Sequence, residues 1–481
     1  MPTLAEAETI LRTQFHLSKF RPNQFPIIQA ALTGRDVFAI LPTGGGKSVC
    51  FQIPGLLSQQ LTIVISPLIA LMVDQVTGLK RKKFSAECWH SQLDQNQEQH
   101  LLAQLTNQNL KFLYLSPEKL LSSKVQRLLK SQTIGLLVID EAHCISLWGH
   151  DFRPSYLKIS GWLETLSPRP QVMALTATAT PTVQVEIKKY LNLIQPLVIT
   201  NEGQRSNLQL QVLNRNSPTK KLISILTLIQ NQPQETILIY CATRSEVELL
   251  TRILRRLQFR LQFHRPILGY HGGQTKQLRQ SLQIQFTETS AVIMIATNAF
   301  GMGIDKPNIR LIIHAQLPSN LENYAQEIGR AGRDNLSATT VLLVSEFDWK
   351  IQLQLAAHQP YHDFKMTWLR QFILSSQCRS QTLAEYFGQK ILVCGQCDNC
   401  RQKLKLTAHP ISQPNPKTFA LYQQLKKLKI PYLPTLKLVA LTQPHSITEL
   451  SQIPGVGSGW LKKWSGAVLA LTQAHQVNRL L

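Results

Sequence analysis

The stretch "DVFAILPTGGGKSV" runs from Asp36 to Val49. A short apolar run enters a turn of three consecutive glycines, and a helical pattern leaves it. A run so short and so nearly apolar throughout is what a strand covered on both faces of a parallel sheet looks like. Backbone N–H groups of a glycine-rich turn point inward, where phosphate oxygens can sit, and the following helix N-terminus adds its partial positive charge. Thr43, Gly44, Gly45 and Gly46 would form such a cradle. Lys47 would reach the β- and γ-phosphates of ATP, and the Ser48 hydroxyl would ligate magnesium. The strict pattern has Gly six residues before the lysine; Leu41 stands there.

Working outward, the same kind of run recurs at 61–66, 111–115, 134–140 and 171–176, with longer amphipathic stretches between. That alternation predicts a doubly wound α/β unit. A second series follows at 236–240, 266–270, 291–296, 309–314 and 339–344. It includes the helical pattern RSEVELLTRILRRL at 244–257. The fold class expected is α/β, two tandem doubly wound parallel-sheet domains, then a helical cysteine-rich subdomain and a small helical C-terminal domain. The polar joint near 201–209 and the proline-containing HPISQPNPK (409–417) set the divisions. These are 1–203, 204–344, 345–404, a linker at 405–416, and 417–481.

The 481 residues carry 51 Lys and Arg against 28 Asp and Glu, a formal charge of +23. Such an excess favours a polyanionic partner. The first residues lack a basic start followed by an apolar block, which argues against a secretory signal. No apolar run approaches the ~20 residues of a spanning helix, so no membrane is expected. Cys50, Cys88, Cys144 and Cys241 read as small buried side chains in a reducing cytosol.

Asp140 and Glu141 close the apolar run IGLLVID. Asp140 would hold magnesium through water, and Glu141 would orient or deprotonate the attacking water. Arg330 and Arg333, in QEIGRAGRD (326–334), could meet the charge that develops when a phosphoanhydride is cleaved. Being in the second unit, they place the nucleotide in a cleft between units. The loop after the carboxylates, Ser146 to Tyr156, carries Trp148, His150, Phe152 and Arg153, side chains suited to stacking on bases and meeting phosphates. Further on, Cys394, Cys397 and Cys400 form C-x₂-C-x₂-C, with Cys378 upstream. Four thiolates suit a tetrahedral structural zinc.

The chain resembles the RecQ family of superfamily 2 helicases. The stretches that carry the resemblance are FRPNQ (20–24), LPTGGGKS (41–48), VISPLIALMVDQV (64–76), LYLSPEKL (113–120), DEAHCISLWGHDFRPSY (140–156), ALTATAT (174–180), LIYCATR (238–244), IATNAFGMGIDKPNIRLIIH (295–314) and QEIGRAGRD, in family order over about 400 residues. The resemblance implies that Gln24 reads the adenine edge and that Arg21 packs on the base. Thr176, Ala177 and Thr178 would link the nucleotide and strand sites. His143 would tie the metal site to the neighbouring unit, and Asp305 would couple nucleotide to strand. It also implies that the loop from Ser146 to Tyr156 senses single-stranded DNA; Leu147 stands where the family commonly has Gln. Single-stranded and forked duplex DNA are the implied partners, with single-strand-binding and repair proteins, in the cytoplasm and on the nucleoid if the source is bacterial.

After residue 404, 481 − 404 = 77 residues remain, fewer than the family's winged helix of about 100 residues, so that duplex wedge is expected to be missing. SITELSQIPGVGSGWLKKWSGAVLALTQ (446–473) resembles instead the latter half of the helicase-and-RNase-D C-terminal domain. There Gly455 and Gly457 could offer N–H groups to a DNA phosphate. The resemblance implies an ATP-dependent DNA helicase with 3′-to-5′ translocation, acting in recombination and repair. The alternatives are a DNA-stimulated translocase or annealing remodeller with weak unwinding, a binding protein with a decayed ATP site, and an RNA helicase.

Overall fold

The computed structural model describes residues 3–42, 44–149, 151–200, 205–258, 265–301, 306–355, 362–401, 416–428, 430, 433–451, 453 and 456–477. Thr43, His150, Asp305, Gly455 and nearly all of the expected linker lie outside the described residues.

Seven parallel strands form the first sheet: β1 (Val37–Ile40), β2 (Leu61–Ile65), β3 (Ala86–Trp89), β4 (Phe112–Leu115), β5 (Ile134–Ile139), β6 (Gln171–Thr176) and β7 (Leu197–Thr200). Their order is β3-β4-β2-β5-β6-β1-β7. Six more form the second: β8 (Leu208–Asn214), β9 (Thr236–Tyr240), β10 (Ile267–Tyr270), β11 (Ile293–Ala296), β12 (Ile309–His314) and β13 (Ala338–Val344). That order is β10-β11-β9-β12-β13-β8, again all parallel. The central strands are buried on both faces, as their unbroken apolar runs require. In β5, for example, Leu137, Val138 and Ile139 are fully buried.

The order of the first sheet explains where its chemistry gathers. β5, β6 and β1 are neighbours, so the loops leaving their carboxyl ends meet. Those loops carry the DEAH carboxylates, the Thr-Ala-Thr link and the glycine turn. A parallel sheet places ligand-binding loops at that edge. Polar caps fix the helices around it: Thr180 accepts from the Val183 N–H and Ser217 from the Lys220 N–H, each before a proline at the first helical position. Such caps contribute about 1 kcal/mol apiece.

The sequence reading passed over the edge strands β3, β7 and β8. β3 and β8 alternate burial with exposure or carry polar residues, and only tertiary pairing reveals them. The C-terminal helices Pro416–Lys427, Leu433–Thr442, Ile447–Ser451 and Ser458–Val477 pack onto the second lobe. One core joins Leu222, Ile225, Leu226 and Leu254 of that lobe to Leu421, Leu425, Leu436, Val439 and Val468. Arg256 Nη2 to Glu449 Oε2, at 2.6 Å, closes its rim. No described helix is long and apolar enough to cross a membrane.

Candidate active site and zinc centre

The glycine turn is closed on itself and by the N-terminal segment. Gly44 and Gly46 sit at φ of 78° and 77°, backbone that glycine adopts without penalty. The Gly45 N–H donates to the Pro42 carbonyl at 2.8 Å. Gln24 Nε2 donates to the Gly46 carbonyl at 3.0 Å, and the Arg21 guanidinium donates to the Gly44 carbonyl. Gln24 and Arg21 thus lie beside the cradle. In this conformation their donors face the turn itself.

Lys47 Nζ lies 3.9 Å from Glu141 Oε1. The two carboxylates of the DEAH segment are adjacent, and burial with the neighbouring Glu141 charge pushes the Asp140 carboxyl up to about 6, against the opposing effect of Lys47. A cation would relieve that repulsion. Ser66 Oγ is 3.5 Å from Asp140 Oδ2, and the Tyr156 hydroxyl donates to the Asp140 carbonyl at 3.1 Å. Glu141 itself sits at φ 49°, a left-handed conformation that a non-glycine residue holds only when its surroundings enforce it.

From Glu141 a buried polar chain leads away. His143 Nδ1 is 3.2 Å from Glu141 Oε2 and 2.9 Å from Thr176 Oγ1. The Thr176 hydroxyl donates to the Thr178 carbonyl at 3.0 Å. Ala177 and Thr178 then line a cavity of about 180 Å³ whose far wall is Arg205, Gln326 and Gly329 of the second lobe.

The two arginines have different settings. The stem of Arg333 covers the glycine turn: a Cβ on Gly44 would meet Arg333 Cδ at 3.1 Å. Arg330 is 6% exposed and donates to the Gly301 carbonyl within its own lobe. Behind them His314 Nε2 pairs with Glu327 Oε2 at 2.8 Å. Arg205 Nη2 holds the carbonyls of Ala331 and Gly332 at 2.7 and 2.8 Å, and Asn207 Nδ2 holds Gly332 at 2.8 Å. The sequence reading missed Arg205 and Asn207. Their signal was a polar pair in the joint, with nothing to say what they cap.

In the loop after the carboxylates, Trp148 and Phe152 are half-buried. Trp148 meets Phe364 edge-on, with ring centroids 5.8 Å apart. Arg153 Nη1 donates to the Pro67 carbonyl at 2.9 Å, and its Nη2 to Asp151 Oδ2 at 3.2 Å, so the guanidinium braces the loop. Gly457, at the start of the last helix, is exposed with open space around its Cα.

Cys378, Cys394, Cys397 and Cys400 converge, with all four sulfurs within 4.8 Å of one another and no disulfide among them. The Cys394–Cys400 and Cys397–Cys400 sulfurs are 3.8 and 3.3 Å apart. Tetrahedral thiolates at ~2.3 Å from zinc would stand ~3.8 Å apart. The N–H groups of Arg379, Cys394, Cys397 and Cys400 donate to these sulfurs at 3.3–3.4 Å, which suits thiolate acceptors. Asp398 anchors the knuckle, accepting from Arg379 Nε and from the Val212 N–H of β8, both at 2.9 Å.

Three family models match the chain: DEAD/DEAH box helicase over residues 21–186, helicase conserved C-terminal domain over 219–335, and RecQ zinc-binding over 354–401. The chain is 39% identical over 405 residues to the ATP-dependent DNA helicase RecQ of Bacillus subtilis, covering 82% of this chain and 67% of that one. It is 38% identical over 390 residues to that of a Synechocystis species, covering 80% and 78%. Among solved structures, the DEAD-box helicase Mss116 bound to ssRNA and UDP-BeF matches with a TM-score of 0.60 at 16% identity, over 98% of this chain and 94% of that one, a likeness of fold. With its paired parallel-sheet lobes, its cysteine knuckle and these relatives, the chain belongs to the RecQ family of ATP-dependent DNA helicases.

Proposed function

We propose that the protein hydrolyses ATP to translocate 3′ to 5′ along single-stranded DNA and to open duplexes in recombination and repair, alongside single-strand-binding and repair proteins in the cytoplasm. The observation that carries the reading is the run of polar contacts Lys47–Glu141–His143–Thr176–Thr178, at successive separations of 3.9, 3.2, 2.9 and 3.0 Å. It runs from the phosphate turn to the wall shared with the second lobe. The direction of travel and the cellular setting are supported only by the resemblance to the RecQ family.

In the chemical step, a water oxygen attacks the γ-phosphorus, the bond to the β–γ bridging oxygen breaks, and ADP and phosphate leave. Glu141 takes the water proton. Lys47 and Arg333 meet the charge on the phosphoryl oxygens from opposite lobes. Ser48 and Asp140 would hold magnesium, which would neutralise phosphate charge. Gln24 and Arg21 would receive the adenine once it draws them from the glycine turn. Trp148, Phe152 and Arg153 would engage the strand, and Gly457 a phosphate further along. The knuckle cysteines would hold zinc as a structural ion, since four protein ligands leave no position for water.

Strand displacement on 3′- and 5′-tailed duplexes, run beside a DNA-stimulated ATPase assay, tests the proposal. Displacement of the 3′-tailed substrate is expected. Strong ATPase with negligible displacement would favour a translocase or annealing remodeller, and equal stimulation by RNA would favour an RNA helicase.

A further inference from the structure

The loop that follows the carboxylates is held from outside its own lobe. Helix His362–Leu374, in the segment matched to the zinc-binding model, sends Lys365 into the junction of the two lobes. Lys365 Nζ donates to the Gly149 carbonyl at 2.9 Å and lies 3.9 Å from Glu322 Oε1. Lys365 and Glu322 are 7% and 3% exposed. Neighbouring Phe364 meets Trp148 of the same loop.

Both ends of this contact lead to the reaction centre. Gly149 packs closely on the turn that begins at His143: a Cβ on it would lie 2.3 Å from the His143 carbonyl oxygen and 3.0 Å from that of Ser146. The backbone it packs against is that of His143, whose ring touches Glu141 and Thr176. At the other end, Glu322 opens helix Leu321–Ile328, and the turn leaving that helix carries Arg330 and Arg333. Burial lowers the Lys365 pKa while Glu322 raises it. A buried charge is a costly way to fill space, and an apolar side chain of the same size would pack as well. A lysine here can donate to a carbonyl of one lobe while its charge faces a carboxylate of the other.

We propose that Lys365 is a positioning residue for ATP hydrolysis: it ties the Gly149 carbonyl to Glu322, so that movement of the aromatic loop and movement of the arginine-bearing helix are a single displacement. The proposal rests on the reading of the chain as a DNA-stimulated ATPase. It gives the segment that carries the zinc knuckle a direct hand in coupling.

Lys365→Met keeps the volume and removes the charge. Steady-state ATPase is measured with and without a single-stranded oligonucleotide, together with oligonucleotide affinity by anisotropy, zinc content and melting. The expected result is a DNA-stimulated kcat at least about fivefold lower, with the KM for ATP and the oligonucleotide affinity within about threefold of the parent and zinc retained. Glu322→Gln should reproduce part of the loss, and the double variant should be no worse than Lys365→Met alone, because both act through one link. A stimulated kcat within about twofold of the parent overturns the proposal. If Lys365→Met does not fold, Glu322→Gln decides, since it removes the carboxylate end of the link and leaves Lys365 in place. A reduced stimulation ratio supports the link, and an unchanged ratio overturns it. A parent protein that DNA does not stimulate would instead overturn the functional reading on which the proposal rests.

Discussion

Arg333 lies across Gly44. The arginine belongs to the turn before β13 in the second lobe, the glycine to the phosphate turn after β1 in the first. A single methyl group on Gly44 would come within 3.1 Å of Arg333 Cδ and 3.2 Å of its Cγ. A guanidinium from the distal lobe therefore reaches the nucleotide cradle without any domain movement. The close fit depends on residue 44 having no side chain.

Gly44→Ala is expected to reduce kcat/KM for ATP at least tenfold, about 1.4 kcal/mol of transition-state binding. It adds both a collision with Arg333 and strain at positive φ. Gly34→Ala is the control. Gly34 has a φ of 77° with nothing within 4 Å of its Cβ position, so it should lower the melting temperature and leave kcat/KM unchanged. Equal ATPase in parent and Gly44→Ala would remove the cleft from the catalytic reading.

The two arginines should separate by assay. Arg333→Ala should lower kcat by about 10³ or more, the range of a guanidinium that meets phosphoryl charge, with little change in melting. Arg330→Ala loses a buried hydrogen bond to the Gly301 carbonyl and should cost stability as well, about 1–3 kcal/mol. Thermal melting beside single-turnover hydrolysis distinguishes them.

Trp148→Ala should lose most of the stimulation of ATPase by single-stranded DNA, because a stacking surface worth roughly 1–3 kcal/mol per base is removed. Titration of the ATPase rate with oligonucleotide measures it. Equal stimulation in the variant and the parent would deny the loop its coupling role.

Metal analysis should find one zinc per chain, and Cys397→Ser should abolish it. Zinc binding of this kind contributes apparent free energies of ~10–16 kcal/mol. Chelation should therefore lower the melting temperature and loosen the β8 edge, to which Asp398 is bonded. Hydrogen exchange at Val212 would report it.

The Arg256–Glu449 contact should matter above acid pH. The hydrogen bond from Arg256 holds the Glu449 carboxyl below its ordinary range, with burial opposing. The folded protein thus binds that proton less readily than the unfolded chain. The pair's contribution is present above the ordinary carboxylate range and is lost as pH falls through the depressed value. At a half-exposed rim it is worth roughly 0.2–1 kcal/mol. Arg256→Ala should melt below the parent at neutral pH, and the gap should close in acid.

The interior strands were legible because burial on both faces leaves an unbroken apolar run. The phosphate turn, the carboxylates and the cysteine knuckle were legible because each packs its chemistry into a few consecutive positions. Strand β8 was not: its Gln209 and Gln211 interrupt the apolar signal, and its pairing with β13 joins residues far apart in the chain. Lys365 was invisible for the same reason. Nothing near it in the sequence announces Gly149, 216 positions earlier. The contrast between Arg330 and Arg333, three residues apart on similar-looking sequence, also emerged only once Gly301 and Gly44 had positions in space.

The shared core between the second lobe and the C-terminal helices changes how the protein can be trimmed. Shortening it ahead of residue 416 would not yield a minimal motor with an appendage removed. It would turn Leu222, Ile225 and Leu226 out to water as a sticky stripe, and the fragment would be prone to aggregate. Intact, those last helices and the second lobe are knitted through one interior, and a ligand held by either would be held by a single body.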